Sequence, residues 1–348
     1  MSQVKILPIN PKPPIVGYNY HAFPLAILSA GSAYLNWFYC QYIQLFCSAF
    51  FPDSGPTRRE PEKGKFDFYR HVVYQQHLCP YLDIQWVNQD LVNAAYDDIV
   101  RFVVQSVGQD YYVQLIVDEF YIPAARSYRR THFSHDILVV GFDLHRQLLR
   151  VLGYDRSHKF GQFDVRFSDL RRAYGARKDR PAKIWLARHE PAADFGFDVE
   201  LVKEQLHEFA HSLKPCLRHR EIEQNPGKLA GGDVYGLATY GVLQEKCLKV
   251  AGSGKGKRFD IRPFHILMEH KRCMVWRLRF MVEKGYLAAG EGFVQAYQRP
   301  ETTASVLRMM MIKYRLQPRA ELLARAAARL RALEDAERSI IRQVIAAL

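Results

Sequence analysis

Two β-rich runs, Asp-Ile-Leu-Val-Val-Gly-Phe at 136–142 and Leu-Leu-Arg-Val-Leu-Gly-Tyr at 148–154, flank a short turn near Asp143–Gln147. Branched and large apolar residues at this density favour extended backbone. Two such runs joined by a few turn residues read as an antiparallel hairpin. A hairpin centred near His145 places His135 roughly opposite Asp155, at its open end.

Further strands and helices follow from local pattern. Tyr111–Val117 is a strand ending on Asp118-Glu119, Leu82–Val87 another, Ile184–Ala187 a last short one and Val4–Ile9 an edge strand. Pro8, Pro11, Pro13 and Pro14 exclude a helix near the start. Ala22–Tyr34 is apolar at helical spacing, with Pro24 placed in the first turn, where no N–H is needed. Leu35–Phe51 is aromatic-rich and reads as a buried helix or strand pair, residues 52–65 as a polar loop, and Phe66–Val73 as a strand or short helix. Leu91–Val107 predicts one helix closing at Gly108, and Phe167–Tyr174 a short helix with Ser168 as candidate N-cap. Beyond about Phe195 the periodicity is helical, over Val199–Leu213, Val234–Ala251, Phe264–Gly285, Glu301–Arg315 and Ala320–Leu348. The expectation is an α+β domain over 1–195 followed by a mostly α-helical domain over 196–348.

Composition narrows the class. Of the 348 residues, 48% are hydrophobic and 13% aromatic, enough for a packed interior, which excludes global disorder. No apolar run reaches the ~20 residues that span a bilayer, and the first residues lack a signal-peptide pattern. The six cysteines include no Cys-x-x-Cys pair, so a zinc ribbon is not expected and the thiols read as reduced, in a cytoplasmic protein. The charge is +13 with a pI near 9.4, but the cations are spread, with small clusters at Arg126–Arg130, Arg171–Arg180 and Lys255–Arg258. No helix-turn-helix or RNA-binding signature is present, so specific nucleic-acid binding is not expected. The basic surface is either simply solvated or receives an acidic partner.

Four constellations carry chemistry. An imidazole at a strand start, faced by a carboxylate from the neighbouring strand, is held in one tautomer and serves as a base, so His135 and Asp155 form the first. The alternative is a hairpin-end histidine bonded to water or a loop. The second is Asp118-Glu119-Phe120-Tyr121, preceding His132 and His135. Two acids and a His-x-x-His pair have metal-ligand chemistry, yet no second close pair accompanies them. Asp118 reads better as a strand-end acceptor of loop N–H groups, and neither metal nor cofactor is expected. The third is Tyr20-His21, at the start of the first apolar helix, where N–H groups and the helix dipole favour an anion. No Cys or Ser stands there, and Cys40 and Cys47 read as core thiols. The fourth, Glu269-His270-Lys271-Arg272, reads as a polar helix face packed on the first domain.

Taken in order, an apolar helix, Val-Asp-Glu-Phe-Tyr-Ile-Pro, His-Phe-Ser-His-Asp-Ile-Leu-Val-Val-Gly-Phe-Asp and Val-Leu-Gly-Tyr-Asp resemble the N-terminal domain of the butirosin-biosynthesis acyltransferase family, over about residues 15–175. That family is related to papain-like cysteine peptidases. The resemblance implies a papain-like α+β domain, with His135 as the base and Asp155 as the residue that orients it. It implies acyl- or peptidyl-group processing on a carrier-bound intermediate in bacterial nonribosomal-peptide and other secondary-metabolite assembly, with an acidic carrier protein as partner. The family's nucleophilic cysteine would fall where this chain has Tyr20-His21-Ala22, so the thiol is missing. The expected catalytic set is then His21, His135 and Asp155, the two histidines acting as acid and base without a covalent intermediate. Tyr20, Asp118, Glu119, Tyr121 and His132 are the candidate substrate contacts. A competing expectation is a noncatalytic binding or scaffold protein on a degenerate cysteine-peptidase fold. A third is a metal-dependent enzyme using His132, His135 and Asp118.

Overall fold

A computed structural model describes residues 3–48, 65–69, 79–176, 183–190, 192–215, 233–253, 259–288 and 290–348. All but Lys65 of the loop expected at 52–65 lies outside the described residues, as do Cys216, the Lys255–Arg258 cluster and the end of the Arg171–Arg180 cluster.

Along the chain run β1 (Val4–Ile6), α1 (Asn19–Leu28), α2 (Leu35–Cys40), β2 (Leu45–Ser48), β3 (Phe66–Phe68) and β4 (Leu82–Asn88). Then come α3 (Gln89–Ala95), α4 (Ile99–Gly108), β5 (Tyr112–Asp118), β6 (Ser134–Asp143), β7 (Leu148–Tyr154), β8 (Phe160–Arg166), α5 (Phe167–Gly175) and β9 (Lys183–His189). The remainder holds α6 (Val199–His211), β10 (Asp233–Tyr235), α7 (Thr239–Gly252), α8 (Arg262–Glu283), α9 (Glu291–Leu316) and α10 (Ala320–Ala347). These form two compact units. Unit 1 is Met1–Leu35 with His71–Phe195, and unit 2 is Asn36–Arg70 with Gly196–Leu348.

Unit 1 is built on a seven-stranded sheet in the order β4-β9-β5-β6-β7-β8, with β1 also paired to β6. Every pairing is antiparallel. The hairpin read from the sequence is β6–β7, and Leu138 faces Leu152 across it. A bulge between Val139 and Gly141 interrupts the ladder where β1 joins β6 beyond the end of β5. Gly141 is required at this point, because a Cβ there would stand 2.6 Å from the Lys5 carbonyl oxygen. β5 is buried along nearly its whole length and β9 over Ile184–Ala187, as strands covered on both faces are. α4 packs on β5 and β6 with Val100, Val103 and Val107 buried. Burying such a side chain contributes roughly 1.5–3 kcal/mol.

Several local expectations shift. α1 begins at Asn19, so Pro24 lies inside it and not in its first turn; the Tyr18 carbonyl already accepts from the His21 and Ala22 N–H groups. The helix expected over 91–107 is two helices, because Tyr96 is extended and Asp98 caps α4 by accepting from Val100 N–H. Arg166, not Ser168, is the N-cap of α5. Leu35–Phe51 yields a short helix and then a strand, and α9 starts ten residues before Glu301 and continues through Pro300.

Unit 2 combines α6–α10 with a three-stranded sheet, β10-β2-β3. Its interior holds a charged network. Lys271 donates to Glu337 Oε1 at 2.7 Å and to His270 Nδ1 at 2.8 Å, and His270 Nε2 is 2.6 Å from the Ile43 carbonyl oxygen. The hydroxyls of Tyr240 and Tyr297 both donate to Glu337. Arg277 donates to the carbonyls of Tyr39 and Gln41. All these side chains are fully buried. Glu269, His270 and Lys271 therefore lie in the interior of unit 2, where His270 meets the Ile43 carbonyl of the first half of the chain, and Arg272 is half-buried. Burial lowers the Lys271 ammonium to about 8 against the pull of Glu337, and with the neighbouring Lys271 charge it holds His270 well below its ordinary range.

Candidate functional site

The end of β5 and the start of β6 carry two acid–imidazole pairs. The ladder puts Val117 opposite His135 and Asp118 opposite Ser134. Beyond Asp118 the backbone turns through a short 3-10 segment, Glu119–Tyr121, and the chain returns to β6 through a loop that ends at Phe133. Asp118 organises this turn. One carboxylate oxygen accepts from the N–H groups of Phe120 and Phe133, both at 3.0 Å, and the other is 2.6 Å from His132 Nδ1. Burial pushes the Asp118 carboxyl up, but His132 and the two N–H groups outweigh it and leave it below its ordinary range. Phe120 stacks on the His132 ring at 4.3 Å, and Tyr121 lies 6.1 Å from it.

The second pair is His135 and Glu119. His135 Nδ1 stands 2.9 Å from Glu119 Oε1; the Glu119 side chain is 10% exposed and that of His135 30%. Phe133 and Tyr154 flank the imidazole at 5.4 and 6.2 Å. Asp155 does not make this contact. Extending the β6–β7 register does bring it level with His135, but its Oδ1 accepts from Ser157 and Lys159 N–H at 2.7 and 2.9 Å, closing the turn between β7 and β8. A short polar side chain just past a strand end is drawn to the nearest unpaired turn N–H groups. The carboxylate beside His135 thus comes from just beyond the end of β5, on its other flank.

The start of α1 is joined to this strand. Asn19 Nδ2 donates to the Asp136 carbonyl oxygen at 3.4 Å, one residue from His135. Tyr20 is half-buried between Tyr18 and His21, with ring centroids 5.1 and 4.6 Å away. His21 is fully buried. Unit 1 thus brings the start of α1, the end of β5 and the start of β6 together, while His21 presents no surface to solvent.

Cations edge the same loop. Arg126 contacts His158, and Arg156 donates to the Pro123 carbonyl oxygen at 2.9 Å and lies over the Tyr128 ring. Among the described residues no group of three or more His, Cys, Asp or Glu side chains is arranged to hold a metal ion. Cys40, Cys47, Cys79, Cys247 and Cys273 are all buried. Burial raises each thiol, to about 11 for Cys40 and about 12 for Cys79, Cys247 and Cys273. No described cysteine therefore offers a thiolate at neutral pH. No described helix is long and apolar enough to cross a membrane.

Sequence reasoning placed Glu119 among the substrate contacts and missed it as the partner of His135. The signal was present: pairing β5 with β6 brings the residues just after Asp118 level with those just before His135. Compared with known proteins, the chain matches no family model and no curated protein.

Proposed function

We propose that unit 1 carries a papain-like general-base site without a thiol, which processes an acyl or peptidyl group on a carrier-bound intermediate in bacterial natural-product assembly. The observation that carries this reading is the His135–Glu119 pair at 2.9 Å, on a strand start next to the start of an apolar helix. With Nδ1–H directed to Glu119, His135 Nε2 is the basic nitrogen. In this reading an attacking amine or water bonds to the thioester carbonyl carbon and loses its proton to Nε2. The C–S bond then breaks, and the imidazolium returns the proton to the departing thiolate. No covalent enzyme intermediate is formed, which suits a site whose helix start carries Tyr20 and His21. Asp118 and His132 hold the loop, and the arginines along it form the landing edge for an acidic carrier protein.

The test is thioester turnover, with small acyl-N-acetylcysteamine substrates and acyl-loaded carrier protein. The expected result is cleavage or transfer that falls by about 10²–10⁴ in His135→Ala. Turnover that survives this substitution would remove the assignment. The complete burial of His21 and of the described cysteines favours a second reading, a noncatalytic binding protein on the same framework. It predicts carrier binding with no turnover of any thioester.

A further inference from the structure

In unit 2 the outer face of α9 has a pattern that its own fold does not use. Thr302, Val306, Met309, Lys313 and Leu316 recur at alternating spacings of four and three, the period with which one helix presents a seam to another. Val306, Met309 and Leu316 are 38, 57 and 79% exposed, while Leu307, Met311 and Tyr314 on the inner face are buried. A shallow groove of about 430 Å³ runs along this face between Thr302 and Lys313. Cations stand beside it. Lys313 lines the groove and exposed Arg315 and Arg319 follow it; from Thr302 to Arg319 the chain carries four Arg or Lys residues and no acid.

We infer that this face of α9 docks an acidic amphipathic helix of a partner protein, whose apolar stripe covers Val306, Met309 and Leu316 while its carboxylates meet the surrounding cations. The heptad-like period selects a helix, and the cations select an acidic one. A second copy of this chain would oppose cations with cations. Nucleic acid would leave the apolar stripe unused, and the one aromatic between Thr302 and Leu316, Tyr314, is buried and offers no base a stacking surface. A lipid surface fits less well, because Thr302, Ser305 and Lys313 interrupt the apolar strip and no Trp or Phe anchors it. The inference stands apart from the site in unit 1.

The experiment uses the full chain and a fluorescent model peptide, helical, with Leu at heptad spacing and Glu elsewhere. Polyglutamate, phosphatidylserine vesicles and duplex RNA serve as the comparison probes. The expected result is peptide binding that weakens with salt and drops by about tenfold or more in Met309→Glu, in Leu316→Glu and in the Lys313→Glu/Arg315→Glu pair. Polyglutamate should bind more weakly and ignore Met309→Glu. These residues are exposed, so an unchanged melting curve shows that each variant still folds. Peptide binding that is absent, or indifferent to Met309→Glu, overturns the inference. So does Met309-dependent capture of vesicles or RNA in preference to the peptide, or a dimer in sedimentation that Met309→Glu dissociates.

Discussion

At the scale of single residues, the assignment of the base turns on which carboxylate touches His135. Glu119 does so at 2.9 Å, and Asp155 is spent on the N–H groups of Ser157 and Lys159. The two acids are therefore separable by experiment. Glu119→Gln keeps the shape but removes the charge that steadies an imidazolium, and thioester turnover should fall by about 10²-fold or more. Asp155→Asn should leave turnover within about twofold and register instead as a lower denaturation midpoint. Asp118 gives a pH prediction. Its folded carboxyl lies below the ordinary range through His132 and two N–H groups, which outweigh burial. The unfolded chain therefore takes up a proton first as pH falls. The stabilisation is fully present above the unfolded value, near pH 4, and is lost as pH falls through the folded one. Urea midpoints from pH 7 to pH 3 should show a steeper acid limb for the native chain than for Asp118→Asn. That His135 stands at the start of a hairpin strand was readable, because the β-rich run begins directly after it. Its partner was not, because Asp155 turns to the N–H groups of its own turn while Glu119 arrives from just beyond β5, on the other flank.

Between elements, the buried network binds α8 to α7, α9 and α10 through Lys271, Tyr240, Tyr297 and Glu337. A buried ion pair stabilises little net, but removing one partner strands a charge without solvent. Lys271→Met alone and Glu337→Leu alone should each cost about 3–5 kcal/mol in chemical denaturation, and the double variant less than either single one. Additive losses would show that the two residues act separately. None of this network was legible beforehand. Lys271 and Glu337 lie 66 positions apart, and a Lys in a helix reads as solvated unless its burial is known. The helices themselves were legible, since their apolar positions repeat with the helical period. Their ends were less so. Asp98 breaks what read as one helix by capping its second half, and Pro300 sits within α9 where a boundary was expected.

For the molecule as a whole, the division into units crosses the order of the chain. Residues 36–70 belong with the helices of 196–348. They supply the Tyr39 and Gln41 carbonyls to Arg277, the Ile43 carbonyl to His270, and strands β2 and β3. A fragment of 196–348 alone would deprive buried Arg277 and His270 of their backbone carbonyl acceptors. It should show helical circular dichroism without a cooperative melt, and adding residues 36–70 in trans should restore one. A fragment that melts cooperatively by itself would show that these bonds are dispensable. By itself the sequence determined most of the elements, though not β8 or β10, together with the β6–β7 hairpin and its level register and the helical character of most of the second half. These depend on contacts along a few residues of chain, where periodicity and turn chemistry are explicit. The tertiary structure alone decided that Glu119 and not Asp155 faces His135, that His21 is sealed in the interior, that residues 36–70 complete the helical unit, and that α9 keeps an apolar stripe outside. Each depends on which distant segments meet, and local pattern carries no record of that.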